Sequence, residues 1–178
     1  MGRAVFLDRD GTINDHTTGY VTKPDGFRFL PGALDALKRL SQTDYRIIVV
    51  TNQSAVSRGL LTLDGLERLH EMMIAEVSGA GGRIDAVYVC AHPPEDDCAC
   101  RKPKTLLLEL AAETYGLDLK GSWLVGDKTV DLMTGRNAGC RTILVGTGYG
   151  GSDCLHEVMP DFRAKDLAEA AGIILSSP

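Results

Sequence analysis

Five short apolar runs, at residues 4–7, 47–50, 86–90, 123–125 and 142–145, recur along the chain with stretches of helical period between them. Strands this short and this apolar are buried on both faces, and joining them through helices is the pattern of a parallel α/β sheet. Between the runs, Leu34, Leu37 and Leu40 fall on one helical stripe and Leu63, Leu66, Leu69, Met73 and Val77 on another, and both stripes are assigned to the core. A third helix is expected to start at Pro103, a favoured first helical position, to run through Leu106 and Leu110, and to stop at Gly116. A short fourth helix should follow Asp131 and end near Gly139, the last should span Leu167 to Ile174, and Gly146 to Gly151 reads as a loop.

A chain of 178 residues with 44% hydrophobic content can fill one core. With neither repeat nor linker to divide it, the expectation is a single domain over residues 1–178, an α/β fold with one Rossmann-like, doubly wound parallel sheet. The 24 acidic against 19 basic residues argue against general affinity for nucleic acid or anionic membranes. There is neither a cationic start with a long apolar core nor an apolar run near the roughly 20 residues that span a bilayer, so a soluble, cytoplasmic protein is expected.

Polar residues gather where the apolar runs end, which is where open α/β sheets place their ligand crevice. Asp8 and Asp10 follow the first run, Thr51, Asn52, Gln53 and Ser54 the second, and Gly126, Asp127, Lys128 and Asp131 the fourth, while Arg101 and Lys102 precede the third helix. Two carboxylates two positions apart point to a divalent cation that relieves their repulsion, with an Asx-type turn as the structural alternative. The set holds a nucleophile, hydrogen-bond donors, cations and further carboxylates, the inventory that phosphoryl transfer through an aspartyl-phosphate requires. For Thr51 the plain alternative is a helix cap, for Lys128 a solvated lysine, and for Arg101 an anchoring salt bridge.

Cys90, His92, Cys98 and Cys100 form a second, independent constellation of three thiolates and one imidazole within eleven positions. Four soft ligands suit a closed, tetrahedral structural Zn²⁺ site, and adjacent members of a Cys-x-Cys pair bridge one another poorly. Zinc there would fold residues 93–97 against the crevice and aim Arg101 and Lys102 inward. Cys140 and Cys154 lie outside the cluster and are expected to be buried thiols.

In order, Asp8-x-Asp10-Gly11-Thr12, Thr51, Lys102 and Gly126-Asp127-x-x-x-Asp131 resemble the four motifs of the haloacid dehalogenase superfamily, and the resemblance spans most of the chain. It implies Asp8 as nucleophile, Asp10 as general acid and base, and Mg²⁺ held by the Asp8 side chain, the Asp10 backbone carbonyl and Asp127, with Asp131 behind them. Thr51 and Lys102 would hold the transferring phosphoryl oxygens, and Lys128 would position Asp8 or touch the substrate. The zinc loop, near residues 90–100, is similar to that of the capless phosphatases of the superfamily, among them the heptose bisphosphate and histidinol-phosphate branches. Gly19-Tyr20-Val21, Ser54 with Ser57-Arg58-Gly59, and Gly126-Asp127-Lys128 lean toward the heptose branch. The five-residue gap between His92 and Cys98 leans toward the histidinol-phosphate branch, and Asp15-His16-Thr17-Thr18 departs from the usual Asp-His-Gly-Tyr.

The heptose resemblance implies a Mg²⁺-dependent phosphatase that removes the 7-phosphate of D-glycero-D-manno-heptose 1,7-bisphosphate in nucleotide-activated heptose and lipopolysaccharide biosynthesis, and a monomer is the expectation for an open, capless domain. Gly19, Tyr20, Asn52, Gln53, Ser54, Arg101 and Lys128 would contact this small phosphorylated sugar, and neither insertion point holds enough chain for a cap domain. A non-catalytic phospho-acceptor or zinc-braced binding module is the contrasting reading, since receiver domains also place acidic residues, Thr and Lys around a strand-end Asp. A receiver would stay phosphorylated, whereas an enzyme with Asp10 as acid and base would release phosphate repeatedly.

Overall fold

A computed structural model describes residues 1–16 and 19–177. Six strands, β1 (Ala4–Leu7), β2 (Arg46–Asn52), β3 (Ala86–Cys90), β4 (Trp123–Gly126), β5 (Arg141–Val145) and β6 (Phe162–Ala164), form one sheet in the order β3-β2-β1-β4-β5-β6. Every neighbouring pair is parallel. The strand order reverses between β1 and β4, so the ends of these two strands frame the crevice of a doubly wound sheet. Five strands lie where the apolar runs predict them. The sixth was not foreseen, because it is three residues long with Phe162 and Arg163 exposed and so has no apolar run to reveal it.

The alternation of side chains along each strand divides the core between two faces. Val5, Leu7, Ile47, Val49, Trp123, Val125, Ile143 and Val145 pack on one face with α1 (Ala33–Leu40), α2 (Leu63–Gly79) and α5 (Leu167–Ser176). Ala4, Phe6, Ile48, Val50 and Leu124 pack on the other with Leu107, Leu108 and Ala111 of α3 (Leu106–Tyr115). The remaining helix, α4 (Thr129–Ala138), links β4 to β5. The Thr62 side chain caps α2 by accepting from the Gly65 N–H at 3.0 Å, and the Asp166 side chain caps α5 from Glu169 at 2.9 Å.

Several expectations need correction. Leu63 is 64% exposed, because at 100° per residue it lies about 80° from the centre of the stripe formed by Leu66, Leu69, Met73 and Val77. The third helix starts at Leu106, since residues 101–104 form a turn closed by the Lys104 N–H on the Arg101 carbonyl at 2.9 Å. The fourth starts at Thr129, before Asp131, whose carboxylate reaches back to the Lys128 N–H at 3.1 Å and closes the first turn. Strand β2 runs on through Asn52, so Thr51 and Asn52 are its last residues and do not follow it. Cys154 is exposed, with a left-handed backbone at φ 48°, whereas Cys140 is buried as expected. Of the unusual stretch Asp15 to Thr18, Thr17 and Thr18 lie outside the described residues.

Candidate active site

The backbone at the end of β1 turns sharply. The Arg9 carbonyl accepts from the N–H groups of Thr12, Ile13 and Asn14, and Gly11 sits at φ 89°. This turn sets Asp8, 5% exposed, against the end of β4, where its N–H donates to the Val125 carbonyl at 2.9 Å. It also directs Asp10 toward β2. Lys102 reaches in from the turn before α3 and donates to Asp8 Oδ1 at 2.7 Å, Asp131 Oδ1 at 2.6 Å and the Val50 carbonyl at 3.0 Å. Three acceptors satisfy all three protons of the ammonium. Burial opposes its charge, but Asp131 and Asp8 outweigh burial and hold Lys102 above the ordinary lysine range. Burial pushes the Asp131 carboxyl up, against the pull of Lys102.

Asp127, at the end of β4, is fully buried. Its Oδ2 accepts from the Tyr149 N–H at 2.8 Å and lies 3.5 Å from His16 Nε2, while its backbone carbonyl accepts from Gly151. Its Oδ1 is buried with no hydrogen-bond partner. One oxygen each of Asp8, Asp127 and Asp131 fall within 4.8 Å of one another. Three buried carboxylates gather here, Asp8 and Asp131 paired with Lys102 and Asp127 left with one oxygen unpaired, so the charge and the donor set fit a hard divalent cation with oxygen ligands, such as Mg²⁺.

The second carboxylate of the first motif is held differently. Arg9 is wholly buried; it donates from Nη2 to Asp10 Oδ1 at 2.8 Å and Oδ2 at 2.9 Å, and from Nε to Oδ1 at 3.0 Å. Asn14 and Gln53 add donors at 2.9 and 2.8 Å. Burial pushes the Asp10 carboxyl up, but Arg9, Asn14 and Gln53 together hold it below the ordinary aspartate value. Gln53, read from sequence as a substrate contact, uses its amide on Asp10, Thr51 Oγ1 and Arg9. Lys128 makes no hydrogen bond to Asp8 among the described residues. Its Nζ lies 4.7 Å from the centre of the Tyr149 ring, and although burial opposes its charge, the carboxylates of Asp8, Asp127 and Asp131 hold its pKa up. Lys102 therefore occupies the position beside Asp8 that the sequence reading offered to Lys128.

These groups open into a cleft of about 930 Å³. The predicted residues Asp8, Asp10, Gly19, Tyr20, Thr51 and Asn52 line it, as do Gln53, Ser54, Arg101, Lys102 and Lys128. Asn52 is tied to the Lys102 backbone, accepting from its N–H at 3.3 Å, and Arg101 donates to the His92 carbonyl at 3.1 Å. Sequence reasoning missed His16, Tyr149 and Arg9. The signal for Tyr149 was its place in the Gly-rich segment after β5, where Thr147 also donates to the Gly11 carbonyl at 2.6 Å and locks that loop onto the first turn.

Beside the cleft, the Sγ atoms of Cys90 and Cys98 are 3.5 Å apart, as are those of Cys98 and Cys100, and His92 Nδ1 is 3.8 Å from Cys90 Sγ and 3.2 Å from Cys100 Sγ. All four ligand atoms lie within 4.8 Å of one another. A tetrahedral Zn²⁺ with sulfur ligands at about 2.3 Å sets sulfurs about 3.8 Å apart, so the cluster fits zinc with little movement.

The Hydrolase_like family model, which describes HAD-hydrolase-like proteins, matches residues 99–170. The D-glycero-beta-D-manno-heptose-1,7-bisphosphate 7-phosphatase of Bordetella bronchiseptica is 38% identical over 175 residues, 97% of this chain and 98% of that protein. The chain belongs to the heptose-bisphosphate phosphatase family of HAD-like hydrolases. The relative of the same name from Pseudomonas aeruginosa is 40% identical over 84% of this chain and 85% of its own length. The crystal structure of the B. bronchiseptica family member, complexed with magnesium and phosphate, superposes with a TM-score of 0.90 and covers 97% of this chain and 98% of its own. A second family structure, from Burkholderia thailandensis, has 33% identity and a TM-score of 0.75, covering 98% of this chain and 99% of its own.

Proposed function

We propose that this chain is a Mg²⁺-dependent phosphatase that removes the 7-phosphate of D-glycero-β-D-manno-heptose 1,7-bisphosphate by way of phosphorylated Asp8. The observation that carries the reading is the buried chain Asp8–Lys102–Asp131 set beside the unpaired oxygen of Asp127. An Asp8 oxygen attacks phosphorus, the bond from phosphorus to the sugar oxygen breaks, and Asp10 gives that oxygen a proton. Water then attacks the phosphorus of phospho-Asp8, Asp10 takes its proton, and the Asp8 carboxylate leaves. The sum is a phosphate ester plus water going to an alcohol plus inorganic phosphate.

Arg9 and its neighbours favour the Asp10 carboxylate in the free protein, the form needed as base. A phosphate dianion arriving beside it raises its proton affinity, as like charges do, and favours the acid form for the first step. Asp8, Asp127 and the Asp10 carbonyl would hold Mg²⁺, which supplies charge neutralisation for the phosphoryl oxygens. Thr51 and Lys102 would hold those oxygens as well. Cys90, His92, Cys98 and Cys100 would hold a structural zinc that braces the turn carrying Arg101 and Lys102.

Gly19, Tyr20, Asn52, Gln53, Ser54, Arg101 and Lys128 line the cleft and would read the sugar and its second phosphate, with Gln53 also holding Asp10. The near-complete mutual coverage with the B. bronchiseptica relative supports one domain over residues 1–178. We also read the chain as capless, monomeric and cytoplasmic; no helix of the described residues is long and apolar enough to cross a membrane. The test is Mg²⁺-dependent phosphate release from the heptose bisphosphate and from L-histidinol phosphate in parallel, with Asp8→Asn as blank. Preference for the heptose is expected; preference for histidinol phosphate would overturn the substrate assignment.

A further inference from the structure

The side chain that aims Arg9 at Asp10 lies on another element. His70 sits in the second turn of α2, among the apolar stripe residues Leu66, Leu69, Met73 and Val77, and is 7% exposed. Its Nε2 is 3.0 Å from Arg9 Nη1. A guanidinium only donates, so Nε2 must be the accepting nitrogen and the imidazole is neutral with its proton on Nδ1. Burial, then the Arg9 charge, hold its pKa down to about 4, in keeping with that form. The other Arg9 nitrogens, Nε and Nη2, hold Asp10, and Nη2 is also 3.2 Å from Gln53 Oε1. The planar guanidinium is thus held at two places, by His70 at Nη1 and by Asp10 at Nε and Nη2, with Gln53 bridging Nη2 and Asp10 Oδ2. A rigid fork transmits the placement of one edge to the other.

We propose that His70 is a positioning residue for catalysis, acting through Arg9 to orient the Asp10 carboxylate toward the leaving oxygen. The inference rests on the reading of Asp10 as acid and base. His70 touches neither substrate nor Asp8, so its loss should weaken proton delivery and leave nucleophilic attack intact. The two are separable by leaving group. A sugar alkoxide needs a proton to depart, whereas p-nitrophenolate does not, and kcat/KM reports only steps up to that departure.

The experiment compares kcat/KM for heptose 1,7-bisphosphate and for p-nitrophenyl phosphate in the wild type, His70→Leu, His70→Gln and Asp10→Asn. His70→Leu removes the acceptor, whereas the Gln side chain can place its amide oxygen near the position of Nε2. With His70→Leu, kcat/KM for the bisphosphate should fall about tenfold or more while that for p-nitrophenyl phosphate stays within about twofold, and His70→Gln should recover most of the loss. If His70→Leu does not fold, His70→Asn, polar but too short to reach Arg9, carries the same expectation. Equal losses on both substrates, or no loss on either, overturn the proposal while Asp10→Asn remains inactive on the bisphosphate. Full bisphosphate turnover by Asp10→Asn overturns the acid–base reading and this proposal with it.

Discussion

Acid should destabilise this protein through His70 in a way that one substitution isolates. The buried imidazole titrates near 4 in the folded chain, held down by burial and then by Arg9, against 6.5 for the free side chain. Between these values the unfolded chain binds the extra proton, so stability rises with pH across the window and is lost as pH falls through it. At 1.36 kcal/mol per pKa unit, the group's contribution at pH 4.5 is about 2 kcal/mol smaller than at pH 7. His70→Gln keeps an acceptor for Arg9 but cannot titrate. Urea unfolding of both proteins at pH 7 and pH 4.5 therefore reads the difference directly, since acid effects on Asp10 and on the cysteine cluster are common to both. With a slope of about 2 kcal/mol per molar urea, the wild-type midpoint should drop about 1 M more than that of the variant. Equal drops would refute the assignment of a neutral, buried His70 facing Arg9.

Lys102→Met leaves Asp8 and Asp131 buried without their cation, which should cost about 3–5 kcal/mol and lower the melting temperature by about 10 °C, with added Mg²⁺ recovering more stability in the variant than in the wild type. Cys98→Ser should lose bound zinc, read by metal analysis, and lower turnover while the far-ultraviolet signal of the sheet and helices is retained. Gly148→Ala would set a Cβ against Asp127 Oδ2 and 2.7 Å from Gly11 Cα at a φ of 58°, so the Mg²⁺ concentration giving half-maximal activity should rise about tenfold or more.

The parallel sheet and both metal constellations were legible because each left a local signature: strands β1 to β5 as apolar runs, the carboxylates at strand ends, and the cysteines at close spacing. What escaped the sequence is what depends on three-dimensional closure. Arg9 could be read as a plain neighbour of two aspartates, and His70 as one polar residue on an apolar stripe, until packing of α2 against the sheet brought them to 3.0 Å. Tyr149 contributes through its backbone N–H, a donor that every residue but proline carries and that no side-chain pattern reveals. The starts of α3 and α4 were misplaced for a related reason: the pull of Lys102 into the cleft and the closing contact from Asp131 to Lys128 set them, and neither is a matter of helix propensity.

The central claim is that Asp8 carries the phosphoryl group. Rapid acid quench of the Mg²⁺-loaded enzyme with heptose bisphosphate labelled at the 7-phosphate, followed by peptide mapping, should find the label on the peptide containing Asp8 and nowhere in Asp8→Asn. Label on a different residue, or full phosphate release by Asp8→Asn with no labelled enzyme at any time, would contradict it.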